Sequence, residues 1–525
     1  MSESERSEAS DVSEASDVSE ASDVSEASEV SEAHRARGSS ETRSDAARTA
    51  DLAGALAALL PALERHGRAA AAARSDWRPA LDEPLPEEGV GADAVLAILR
   101  DRFAAAGLGL GEPGFTGWIA TAPAVVPAAA GLVASVAAPQ RWWVGPGNFA
   151  ELLALRWLGQ ILGLDENVAG ALVSGGAVGN LVALAAARQR AAERIGLDPA
   201  EDGVARIPAP RVYAGETCHQ VIDRALAVLG LGRRALLRLP PGRGGATLDT
   251  GELARALDRD RDAGATPIAL VATAGDASTG AIDPIREMAE IAAERGIWLH
   301  VDGAYGAFAA LDPRLADRLA GLERADSVVV DPHKWLAVPV GCGAVLVRDA
   351  GALERALALG PAPYLEHVRR GPADPASPFD ELGEGRPDHT VEHSAPARGI
   401  AVWAALKEIG RAGLRERVAR HVDCARRVAD RARAEAELEL LAEPTLSIVC
   451  FRYRPPGVRA SGEIERANRA VLAAVRARGR VVPSSTRVGG KLAIRACFLG
   501  PRTGLADADA LVDEVLAAGR ALQSG

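Results

Sequence analysis

Aromatic residues make up only 4% of this 525-residue chain, and just 4 of them are tyrosines. A ring at a defined loop position therefore carries information. Cysteine is equally sparse. Cys218, Cys342, Cys424, Cys450 and Cys497 are scattered, odd in number and never in CxxC spacing, which argues against a disulfide framework or a metal site and suits a reducing compartment. No charge-free run of 18 apolar residues occurs, and the start MSESERSEAS has no basic region followed by an apolar one. The expectation is a soluble, cytoplasmic protein with no membrane partner. Lysine and arginine (60) are outnumbered by aspartate and glutamate (71), which excludes the basic footprint of a nucleic-acid binder.

What is present is organised in blocks. Residues 7 to 30 repeat a hexamer, SEASDV three times and then SEASEV. It has no apolar face at either period 3.6 or period 2, so 1–46 reads as a disordered acidic tail. An Ala/Leu helical pattern and a Pro/acidic connector give 47–149 the character of a helical arm. From 150 to 380, short apolar runs such as PIALVAT, IWLHVD and SVVVD alternate with helical patterns of 10 to 15 residues. That alternation implies βαβ crossovers and a mainly parallel sheet, with functional groups gathered where strands end. Residues 381–525 read as a smaller α+β domain.

Four groups stand at such strand ends. In Asp331-Pro332-His333-Lys334-Trp335 a lysine follows a buried strand; apolar surroundings disfavour the charged form of an amine, and a neutral amine is a nucleophile. Asp302 ends IWLHVD, where an anion needs a cation or a donor. Ser174-Gly175-Gly176-Ala177 leads directly into a helix, whose N-terminal N–H groups could hold a phosphate. His219 lies between a strand and a helix and could stack on a ring. A nucleophilic lysine, an anion, a phosphate turn and an imidazole together describe a site for pyridoxal 5'-phosphate.

The ordered motifs SGG…NLVALAAAR, ETCH, VATAG…TGAIDPI, WLHVDGAYG and DPHKW resemble the group II pyridoxal-phosphate-dependent amino acid decarboxylases, the aromatic-L-amino-acid decarboxylases among them. The likeness runs from about Arg78 through the SSTR and LAIRACFLGPRT segments. It implies a fold type I PLP-dependent transferase architecture: α/β, with a large, mainly parallel seven-stranded sheet domain, a smaller C-terminal α+β domain, and a homodimer. It also implies Lys334 as the Schiff-base lysine and Asp302 as partner of the pyridinium nitrogen. Ala304 and His219 would lie against the cofactor ring, while Gly176, Ala177 and His333 would meet its phosphate. Tyr364, in the loop PAPYLEH, matches the tyrosine that returns a proton to the substrate carbon. Trp118, Ile119 and Thr121 match a substrate-pocket segment, with Trp142 on a second wall.

The resemblance implies decarboxylation of an L-amino acid, aromatic in type, to the amine and CO2. Alternatives are an aldehyde synthase or lyase, a decarboxylase of an acidic amino acid for which Arg141 would supply the cation, or a non-catalytic scaffold. The chain departs from the family in Asp276-Ala277, where relatives carry threonines that help hold the cofactor. Either Ser278 and Thr279 substitute, or cofactor affinity is lower. Ala177-Val178 and Asp331 stand where many relatives have a hydroxyl with an acidic residue, and an asparagine.

Overall fold

The computed structural model describes residues 50–57, 59, 81–104, 109–137, 140–141, 145–166, 168–242, 247–358 and 387–524. The chain divides into two compact units, Met1–Arg65 with Ser75–Ala106, and His66–Arg74 with Gly107–Gly525. In the first unit, the expected helix after the Pro/acidic connector is Ala92–Ile98, continued by a wider turn over Leu99–Ala104.

The second unit contains twelve described strands. They are β1 (Phe115–Thr116), β2 (Ala169–Val173), β3 (Pro210–Gly215), β4 (Leu236–Leu239), β5 (Thr266–Thr273) and β6 (Trp298–Asp302), then β7 (Ser327–Val330), β8 (Gly343–Val347), β9 (Leu438–Ala442), β10 (Ile448–Tyr453), β11 (Val482–Val488) and β12 (Lys491–Cys497). Seven of them form one sheet in the order β2-β8-β7-β6-β5-β3-β4. Only β8 runs antiparallel to its neighbours. The sheet is apolar on both faces, as parallel strands covered by helices must be. Leu270, Ala272, Leu299, Val301, Val328 and Val330 pack into one core. Their alternates Ala269, Val271, Trp298 and Val329 pack into another.

Local chemistry sets the helix ends. Asp249 caps Thr250–Asp262 by accepting from Glu252 N at 3.0 Å, and Ile285–Arg295 stops where Gly296 turns left-handed (φ 64°). Helix Gly176–Glu193 starts five residues earlier than the Leu181 suggested by its apolar pattern, because Gly175 (φ 142°) reverses the chain directly after β2. Its buried alanines 183, 185, 186 and 187 let it lie close against the sheet.

The C-terminal part forms a five-stranded sheet, β1-β11-β12-β10-β9, over a core of its own that includes Val428, Phe451, Val471, Phe498 and Leu511. Two of these strands are illegible in the sequence. LELLA reads as an extension of the preceding helix, and VPSSTRV carries a proline and three hydroxyls. The edge strand β1 pairs in parallel with β11, through Phe115 with Val482 and Thr116 with Pro483. That pairing brings the segment after Phe115 over the carboxyl ends of the large sheet. The long helix Arg398–Ala434 is broken at Gly410 (φ 62°, ψ −179°). Among the described residues no helix is long and apolar enough to cross a membrane.

Candidate active site

The turn after β7 explains how a lysine comes to face inward. Trp335 is fully buried, 5.2 Å from the ring of Tyr305, and Arg417 donates to the carbonyls of Trp335 and Leu336. With the indole fixed on one side of the turn, Lys334 projects to the other, into a cavity of about 410 Å³. Its Nζ lies 3.0 Å from Asp331 Oδ2.

Strand register supplies the neighbours. Thr273 pairs with Asp302 across β5 and β6, so both reach the cavity from adjacent strand ends. Asp302 is 8% exposed, and its Oδ1 accepts from Ala304 N at 3.2 Å. Gly176, Ala177, Ala304 and His219 also line the cavity. His219 is exposed at the rim, where its Nδ1 accepts from Val221 N. His333 does not line the cavity. It packs behind it, with Nδ1 bonded to Cys342 O at 2.6 Å and Nε2 3.7 Å from Asp331.

A chain of hydrogen bonds beneath the cavity fixes the glycine turn. Asn180 Nδ2 donates to Gly176 O at 2.7 Å, and Asn180 Oδ1 meets His300 Nε2 at 2.7 Å. His300 Nδ1 meets Ser327 Oγ at 2.9 Å, and that oxygen also accepts from Trp298 Nε1. With Asn180 accepting, His300 Nε2 carries the proton and Ser327 donates to Nδ1. Burial pushes the His300 pKa down to about 4, so this relay is neutral and fully paired. Neither Asn180 nor His300 stands out in the sequence, since each is a polar residue flanked on both sides by small or apolar ones.

The site fits pyridoxal phosphate on three observations. The N–H groups of Gly176 and Ala177 open a helix, where no carbonyl four residues earlier can take them. A Cβ on Gly176 would stand 3.0 Å from Ala304 Cβ and 3.1 Å from Asp331 Oδ2, so the turn is pressed tightly against the site. Asp331, a lining residue, keeps one buried carboxylate oxygen, Oδ1, without a hydrogen-bond partner, as the wall of a polar-ligand site can.

Other expectations are altered. Asp276 turns into its own loop, accepting from Ser278 N, Thr279 N, Thr279 Oγ1 and Ala281 N. Ser278 and Thr279 do not line the cavity, so they do not substitute for the family's threonines. Arg141 is buried away from it, donating to Leu172 O at 3.1 Å beside Glu151. The arginine that does border the cavity is Arg495, missed as a site residue although an arginine inside KLAIRAC marks a buried charge. It is 4% exposed and donates to Trp118 O (2.9 Å), Ser484 Oγ and Ser278 O. This holds Trp118 in a left-handed backbone (φ 51°) with its indole exposed at the cavity mouth beside Ile119. Thr121 is buried, bonds Ala122 O and is not part of the lining. Trp142 and Tyr364 lie outside the described residues.

Known proteins fall into line with this geometry. Aromatic-L-amino-acid decarboxylase of Bacillus atrophaeus is 31% identical over 366 residues, covering 70% of this chain and 72% of its own. Tryptophan decarboxylase 1 of Oryza sativa subsp. japonica is 30% identical over 374 residues, 67% and 70% of the two chains. The crystal structure of Oryza sativa TDC with PLP and tryptamine superposes with a TM-score of 0.80 at 24% identity, over 92% of this chain and 100% of that one. The model of the pyridoxal-dependent decarboxylase conserved domain matches residues 148–454, and with that match the chain belongs to the pyridoxal-dependent decarboxylase family.

Proposed function

We propose that this pyridoxal-phosphate-dependent decarboxylase acts on an aromatic L-amino acid and releases the corresponding amine and CO2. The observation that carries the reading is the convergence of Lys334, Asp302, His219 and the Gly176-Ala177 turn on one cavity. In this reading Lys334 holds the cofactor covalently, Asp302 pairs with its ring nitrogen, and His219 and Ala304 bracket its two faces. The backbone N–H groups of Gly176 and Ala177, supported by His333, bind the phosphate. When bound, pyridoxal phosphate supplies an electron sink for the bond to the departing carboxylate. The protein's part is to orient that bond, exclude water and return a proton to the substrate carbon, the role we assign to Tyr364.

An aromatic substrate is supported by Trp118 and Ile119 at the mouth, which offer an apolar slot for a ring. It is supported again by Arg141, which is committed to Leu172 and Glu151 and not turned to the cavity. A second reading, an acidic amino acid, rests on Arg495, the one arginine among the described lining residues. Its Nε and Nη1 are already used on Trp118, Ser278 and Ser484, so we favour the first.

The functional unit is proposed to be a homodimer in a cytoplasmic setting. Phe149 and Val133 are 61% and 54% exposed. With Ala137, Leu153, Ile400 and Trp403 they line an apolar groove of about 590 Å³, and apolar side chains exposed side by side suit a contact with a second copy. The test of function is product analysis with a panel of L-amino acids, following CO2, amine and peroxide together, with Lys334→Ala as control. Equal CO2 and amine from tryptophan, tyrosine or dihydroxyphenylalanine, abolished in the variant, is the expected result. CO2 from acidic amino acids alone would transfer the assignment to the second reading, and aldehyde with peroxide would replace decarboxylation by oxidative chemistry.

A further inference from the structure

Asp331 is a carboxylate that the proposed chemistry does not use. It is 3% exposed. Oδ2 is 3.0 Å from Lys334 Nζ, and Oδ1 has no hydrogen-bond partner. It is locked in place from three sides: its N–H donates to Ala304 O, a Cβ on Gly343 would come within 2.7 Å of Oδ1, and one on Gly176 within 3.1 Å of Oδ2. The carboxylate is closely surrounded and buried, so the ion pair is broken most readily by moving the lysine. The lysine has somewhere to go, because its side chain opens onto the cavity that also presents Asp302, Asp276, His219 and Arg495.

We propose that Asp331 is a positioning residue that holds Lys334 as its ion-pair partner until the cofactor is captured, so that it slows and weakens cofactor loading. The inference rests on the reading of Lys334 as the cofactor-holding lysine. Capture forms a C=N bond between Nζ and the aldehyde carbon of pyridoxal phosphate and expels the aldehyde oxygen as water. Before that bond forms, the ammonium must give one proton to solvent. The charge-assisted contact with a fixed anion at 3.0 Å must be given up before the nitrogen can reach the aldehyde. Once the nitrogen is bound to the cofactor it can offer Asp331 at most one N–H in place of three, and the other basic group near the carboxylate, His333 Nε2, is 3.7 Å away. A buried carboxylate with one oxygen already unpaired is then left with less compensation than in the empty site. Both effects favour the unloaded protein.

The experiment uses the full chain, freed of cofactor by dialysis, as wild type, Asp331→Asn and Asp331→Ser. Growth of the visible band of lysine-bound cofactor is followed after mixing with pyridoxal phosphate, and separately with pyridoxal, which lacks the phosphate. Thermal unfolding of each cofactor-free protein confirms that it is folded, and the second variant serves if the first is not. We expect capture about tenfold faster, and a lower dissociation constant, in the variants with both aldehydes, as release of one charge-assisted contact of Lys334 predicts. A gain confined to pyridoxal phosphate would overturn the proposal, since Asp331 would then act by repelling phosphate and not by detaining Lys334. Unchanged or weaker loading would overturn it as well. A wild-type protein that forms no band with either aldehyde would instead refute the cofactor reading on which the inference stands, and that failure is separate from the other two.

Discussion

Single residues in this site are understood through what constrains them. Lys334 was conspicuous in the sequence because it interrupts two apolar runs, and the structure supplies the reason: with the indole of Trp335 buried on one side of the turn, the preceding lysine faces the cavity. His300 was silent in the sequence and proves central, a neutral link between Asn180 and Ser327 that pins the Gly176 turn from below. Its ring, pushed by burial from 6.5 down to about 4, takes up a proton more readily in the unfolded chain. His421, bonded to Gly500 O, is pushed by burial to about 3. The stability these rings contribute is therefore complete above about pH 6.5, the unfolded value, and is lost as pH falls towards 4. Urea midpoints at about pH 7.5 and about pH 4.5 should fall further for the wild type than for His300→Gln, whose side chain cannot titrate. Equal drops for the two proteins would show that this histidine does not carry the acid sensitivity.

Elements decide how those residues meet. The parallel register of β5, β6 and β7 sets Thr273 beside Asp302 and Asp302 beside Val329, and each strand ends at the same edge. The loops leaving that edge are packed backbone to backbone. Gly306 N donates to Ala274 O at 2.9 Å, and a Cβ added at Gly306 would meet that same oxygen at 2.2 Å. Gly306→Ala should force the β6 loop away from the β5 loop, costing about 1–3 kcal/mol or more as overpacking against rigid backbone does. The same shift would displace Gly275 and Asp276 from the cavity wall. A lowered melting temperature together with weaker retention of pyridoxal phosphate is the expected pair of changes. Wild-type values for both would mean that the loops can separate without strain. The hydroxyl-rich strand β11 makes a different point, because its proline and serines suit an edge-proximal strand only once β1 has paired with it. That pairing joins residues more than 360 positions apart, and no local pattern announces it.

The whole molecule adds the groove between helices Val125–Ala137, Gly145–Leu162 and Arg398–Ala434. Exposed Phe149 and Val133 in that groove are liabilities for a monomer and assets at an interface between two copies. Phe149→Glu with Val133→Glu should shift the sedimenting species from dimer to monomer while far-ultraviolet circular dichroism stays native. A variant that remains dimeric would place the interface elsewhere.

Much of this protein was legible before its structure. The alternation of apolar runs and helical patterns determined a mainly parallel sheet, since period-2 and period-3.6 burial leave distinct marks in the order of residues. The strand-end positions of Lys334, Asp302, His219 and Gly176 pointed to a pyridoxal-phosphate site, because that chemistry needs these side-chain types, and the fold brings the four to one cavity. The tertiary structure alone decided what each charge faces. Arg141 and Arg495 look alike as isolated arginines, yet one is bound to Glu151 in the large-domain core and the other borders the cavity while holding Trp118 at its mouth. The same holds for Asp276, folded into its own loop, and for Asp331, held against Lys334. Electrostatic partners are chosen by distances between segments far apart in the chain, and those distances exist only after both sheets have formed and packed.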